Sequence, residues 1–68
     1  MKNTEWIPIA SMGNFFRLFN GELQACPMNA DDSRDSDESI CEVDWHGIDE
    51  DDRIKCAMIQ EVLSALRD

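Results

Sequence analysis

The dipeptide Asn20-Gly21 constrains this chain more than any other feature. It separates Phe15-Phe16-Arg17-Leu18-Phe19 from Glu22-Leu23-Gln24-Ala25-Cys26. Asn-Gly accepts positive φ at both central positions, which a two-residue type I′ hairpin turn requires. The turn also sets a register in which Phe19 faces Glu22, Leu18 faces Leu23, Arg17 faces Gln24 and Phe16 faces Ala25. Side chains alternate along a strand. Phe16, Leu18, Leu23 and Ala25 therefore share one apolar face, expected to be the core side. Phe15, Arg17, Phe19, Glu22, Gln24 and Cys26 share the other. A slip of one residue would exchange the two faces.

The rest of the chain arranges itself around this hairpin. Trp6-Ile7-Pro8-Ile9-Ala10 reads as an N-terminal strand, and Pro8 suits an edge because it cannot donate to a ladder. Residues 29–38 are polar and acidic without apolar periodicity and read as a flexible acidic loop. Ile40 to His46 alternates again, with Cys41, Val43 and Trp45 on one face and Ile40, Glu42, Asp44 and His46 on the other. Residues 49–67 read as a C-terminal helix. Asp49 is its N-cap, Glu50, Asp51 and Asp52 fill the first turn, and Arg67 sits at the C-terminal end. Ile54, Met58, Ile59, Val62, Leu63, Ala65 and Leu66 fill about half the helix circumference and are expected to cover the sheet. The fold class is α+β: a small antiparallel sheet of three to four strands packed against one C-terminal helix, in a single domain over residues 1–68.

Composition decides whether such a fold can hold and what it can bind. Leu, Ile, Val and Phe supply 15 of the 68 residues, just above the level of about one-fifth at which high charge signals disorder. Fifteen acidic residues against six basic ones give a net charge of −9. The charge is local. Asp31, Asp32, Asp35, Asp37, Glu38, Glu42, Asp44, Asp49, Glu50, Asp51 and Asp52 fall in one window, and Arg34 is the only basic residue inside it, so the window carries −10. Direct binding to nucleic acid or to an anionic membrane is disfavoured, because phosphate neutralisation needs Lys and Arg. No uncharged stretch is long enough to span a bilayer. No export signal is evident and the cysteine count is odd, which points to a reducing cytoplasm.

Sites for chemistry are sparse. Cys26, Cys41 and Cys56 recur every fifteen residues without a Cys-x-x-Cys pair. With His46 they would make a zinc site only if four separate elements converged, whereas structural zinc takes its ligands in close pairs. Cys41 and Cys56 read more simply as small buried apolar residues of strand and helix. Asp31 to Glu42 can be laid on a twelve-residue calcium loop, but Ser36 stands where the sharp turn needs glycine. No nucleophile elbow or glycine-rich phosphate loop is present. No cofactor, no metal and no catalysis are expected.

Two readings of function remain. Glu42 and Asp44, on one face of a strand, would stand about 6.6 Å apart, a spacing comparable to successive phosphates. With Asp49 to Asp52 at the helix start and Asp31 to Glu38 in the loop, they form a surface that a basic nucleic-acid channel would attract. A short, very acidic single-domain chain without catalytic motifs resembles the small phage and mobile-element proteins that block host defence, the anti-CRISPR proteins in particular. That resemblance lies in size, charge and lack of chemistry, and it carries over no site residues. It implies an inhibitor acting in the cytoplasm of a bacterial host. Its partner would be a basic nucleic-acid-binding protein or complex such as a CRISPR effector, held by mimicry of DNA. The alternative is a protein-interaction or dimerisation module. Phe15, Phe19 and Ile40 would then form an exposed apolar patch on the sheet face away from the helix, fit for a partner or a homodimer, and the acids would serve solubility.

Overall fold

A computed structural model describes residues 2–66. Four strands form one antiparallel sheet in chain order: β1 (Ile7–Ile9), β2 (Asn14–Phe19), β3 (Glu22–Pro27) and β4 (Cys41–Glu42). One helix, α1 (Glu50–Ala65), packs on the sheet. The hairpin has the expected register, with Phe19 opposite Glu22, Leu18 opposite Leu23 and Phe16 opposite Ala25. Asn20 at φ 53° and Gly21 at φ 80° supply the two left-handed residues of the turn. Phe16, Leu18 and Leu23 are buried with Cys56 and Leu63 of the helix, and Ile7, Ile9, Ala25, Val43, Trp45 and Ile59 flank them.

The N-terminal strand is shorter than the expected Trp6 to Ala10. β1 lies at the sheet edge with Pro8 at its centre. A single 3-10 turn, Ala10–Met12, and a left-handed Gly13 at φ 68° reverse the chain into β2. Ahead of β1 the Thr4 amide donates to the Leu18 carbonyl at 2.9 Å, which carries the pairing toward the hairpin turn.

Three expectations are corrected. The fourth strand does not run from Ile40 to His46. It stops at Glu42, and only the Val43 amide continues the ladder, donating to the Leu23 carbonyl. The Asp44 carboxylate then accepts the His46 and Gly47 amides at 3.2 and 3.1 Å, a local turn that competes with strand pairing. Residues 29–38, read as a flexible acidic loop, carry defined turns. Met28 bridges to Arg34, the Asp35 amide donates to the Pro27 carbonyl, and a 3-10 turn over Asp37–Ser39 packs beside β3. This segment covers Cys26, which is fully buried rather than open on the far face. Its thiol lies against the Asp35 and Ser36 carbonyls.

The third correction concerns the helix. Cys56 and Leu63 are buried and Ile59 is half-buried, a row spaced by three and four residues. Ile54, Met58, Val62 and Leu66 are not in the core: they are 53, 62, 63 and 41 % exposed. Ala65 is exposed as well. A sheet this small, ending in a two-residue strand, has room for one row of the helix and not for half its circumference. Arg67, expected to close the helix, lies outside the described residues. No helix among the described residues is long and apolar enough to cross a membrane.

Candidate functional site: an acidic edge beside an apolar hollow

Linear clustering of the acids becomes spatial clustering through the topology. The sheet order runs β1-β2-β3-β4, so residues 28–42 pack along β3 and form the edge opposite β1. The turn after β4 leads directly into the helix N-terminus. All eleven acidic positions therefore belong to the β4 side of the molecule or to the start of the helix.

The eleven carboxylates divide into two sets. In the first, each is spent on the chain itself. Asp31 accepts the Ser33 hydroxyl and amide, which together hold its carboxyl below the usual range. Asp35 accepts the Ser36 amide and the Ser39 hydroxyl and is lowered in the same way. Asp37 pairs with Arg34 at 2.9 Å. Asp44 closes the turn described above. Asp49 is the N-cap, accepting the Asp52 amide at 2.9 Å. The second set is Asp32, Glu38, Glu42, Glu50, Asp51 and Asp52. Among the described residues none of these side chains makes a hydrogen bond or an ion pair. Asp32 sits at a left-handed φ of 69°, which Asp tolerates better than most residues. The expected pairing of Glu42 with Asp44 on one strand face does not form, because Asp44 has left the strand.

The nearby cations are also occupied. The Arg53 guanidinium donates to the Trp45 and Ile48 carbonyls and ties the turn to the helix. Arg34 lies over the Trp6 ring at 5.0 Å while it pairs with Asp37. Asp32, Glu38, Glu42, Glu50 and Asp51 are thus left exposed.

Between β3, β4 and the helix lies an open hollow of about 310 Å³. Glu42, Asp44 and Asp52 line it together with Phe16, Ala25 and Ile48, and the Cys41 and Cys56 thiols share its wall. Carboxylates beside apolar surface suit a guest with an alkyl stem and a cationic head, as Lys and Arg side chains are. Cys41 is exposed here, not buried as expected, because β4 is an edge strand; Cys56 is buried, and burial followed by the Asp52 charge pushes its thiol pKa up. The cysteines, His46 and the acids bring no group of three metal-ligating side chains together among the described residues.

The apolar patch expected from Phe15, Phe19 and Ile40 is only partly open. Phe15 and Ile40 are half-buried and Phe19 is 42 % exposed. The Arg17 guanidinium lies 4.4 Å from the Trp6 ring centre and 4.6 Å from that of Phe19, and it donates to Gln24 at 2.8 Å. Trp6 and Arg17 thus occupy the face that the sequence left bare. Sequence reasoning missed two features. One is the hollow, whose far wall comes from the helix. The other is the open helix row Ile54, Met58, Val62, whose signal was an apolar arc too wide for one contact. The chain matches no protein-family profile, no curated protein and no solved structure.

Proposed function

We propose that this chain is a non-enzymatic binding protein that occupies the basic nucleic-acid-binding surface of a partner, acting as a DNA mimic of the anti-CRISPR kind. The observation that carries this reading is the set of exposed, unpaired carboxylates on one edge, with the local cations Arg34 and Arg53 already engaged. Glu38 stands on a 3-10 turn, Glu42 on β4, and Glu50 and Asp51 on the first turn of α1. Charge held on regular elements presents a fixed pattern, which steers a complementary surface and limits wrong pairings. The hollow beside Glu42 gives one Lys or Arg of the partner a place to anchor.

Immobilised protein should retain basic nucleic-acid-binding proteins from a bacterial lysate, and a short DNA duplex should displace them. The variant carrying Glu38→Lys, Glu42→Lys, Glu50→Lys and Asp51→Lys should lose that retention. Retention that survives these four reversals, or that no duplex displaces, defeats the reading.

A further inference from the structure

Arg34 is the one basic residue inside the acidic window, and on charge alone it counts against an acidic surface. Its surroundings give it another role. The side chain is 28 % exposed, against 84 % for its partner Asp37. Nη1 donates to the Cys26 Sγ at 3.5 Å and to the Asp35 carbonyl at 3.1 Å, and Nη2 donates to Asp37 at 2.9 Å. The guanidinium lies 5.0 Å from the centre of the Trp6 ring, which Arg17 also contacts. One planar group thus touches the N-terminal segment, β3 and the acidic loop at once.

Residues 29–39 need such an anchor. Ala30 is their only apolar residue, and five carboxylates crowd them. A stretch of that composition buries too little to order itself. Two main-chain ties join it to the end of β3, the Met28–Arg34 bridge and the Asp35 amide on the Pro27 carbonyl, and both adjoin Arg34. From there the contacts run outward. The Asp35 carboxylate accepts the Ser36 amide and the Ser39 hydroxyl across the 3-10 turn that carries Glu38.

We infer that Arg34 is the positioning residue of the acidic segment: its fork clamps residues 29–39 onto Cys26 and Trp6 and so fixes where Asp32 and Glu38 stand. Its value for binding rests on the reading of that edge as the partner surface; its hold on the segment does not. Charge and position then demand opposite signs. Arg34→Gln takes the net charge from −9 to −10 and keeps every carboxylate. A surface acting by charge alone would hold a basic partner more tightly. A surface acting by pattern loses its fixed positions and holds it less tightly. Lysine keeps the charge but has no planar fork to stack on Trp6 while bonding Cys26 and Asp37, so Arg34→Lys falls between.

Thiol protection reads the clamp directly, in a Cys41→Ser background that removes the exposed thiol. Cys26 lies under the segment, and Cys56 lies in the core between sheet and helix. With Arg34→Gln, labelling of Cys26 in the folded chain should speed up about tenfold or more, while Cys56 stays as protected as in the native chain. Arg34→Lys should show a smaller gain of the same kind. The binding arm uses the lysate proteins that the immobilised chain retains and a short DNA duplex displaces. They should elute from Arg34→Gln at lower salt than from Lys55→Gln, an exposed helix position whose loss gives the same net charge. Cys26 as protected in Arg34→Gln as in the native chain overturns the inference. So does labelling of Cys26 and Cys56 together, which would make Arg34 a prop of the whole core, or elution of Arg34→Gln at or above the salt that Lys55→Gln needs. Lysate proteins that no duplex displaces defeat the functional reading alone, and the thiols still decide the clamp.

Discussion

Asp44 and Asp49 hold the turn and the helix start, and that role can be separated from their charge. Asp49 accepts one amide of the first helical turn, and losing an N-cap of this type costs about 1 kcal/mol. Asp44 accepts two amides. The Gly47 amide also donates to the Asp44 main-chain carbonyl at 3.0 Å, so only the His46 amide loses its partner outright, again about 1 kcal/mol. The sites lie in one connected turn, where two losses need not add, so about 2 kcal/mol is the upper scale for the pair. A domain of this length holds about 3–10 kcal/mol, and 1 kcal/mol moves its midpoint by about 4–8 °C.

The double variant Asp44→Ala with Asp49→Ala should therefore melt as much as about 8–16 °C below the native chain. Asparagine keeps the accepting oxygen and removes the charge, so Asp44→Asn with Asp49→Asn should melt close to native. Glu38→Gln with Glu42→Gln removes two charges that hold nothing and should also stay within about 0.5 kcal/mol. Thermal denaturation followed by circular dichroism reads all three. An alanine pair that melts like the native chain, or an asparagine pair that falls as far as the alanine pair, refutes the division of the acids into structural and free sets.

Thiol titration should find one fast-reacting cysteine, the exposed Cys41, while Cys26 and Cys56 react only on unfolding. A bulky label on Cys41 should also fill the hollow and block partner retention. Asp31 and Asp35 have folded pKa values below 3.8, so the unfolded chain binds more protons as pH falls through that region. Their contribution to stability is complete above the unfolded value and is lost on further acidification, so the urea midpoint should drop below about pH 4. Asp35→Asn should flatten that drop. Leu63→Ala should cost about 2–5 kcal/mol by opening a cavity beside Phe16 and Leu18, whereas Val62→Ala should stay within about 0.5 kcal/mol. Chemical denaturation distinguishes the two faces of the helix directly.

What was legible in the sequence was what local chemistry determines. Asn-Gly leaves one register to its flanking strands, so the core side of the hairpin followed from counting. Asp49 ahead of three acids announced the helix start. What was not legible depended on size and long-range packing. Half the helix is apolar, yet only a row of it meets the sheet, and nothing local says how wide the sheet is. Cys26 sits at a position that alternation assigns to the open face, and a polar segment without periodicity buries it. The Asp44 turn did have a signal. Asp at the first and Gly at the fourth position of Asp44-Trp45-His46-Gly47 is a β-turn pattern, masked by the alternation of Cys41, Val43 and Trp45. Gly47 is also required by space, since a side chain there would collide with the Asp44 carboxylate.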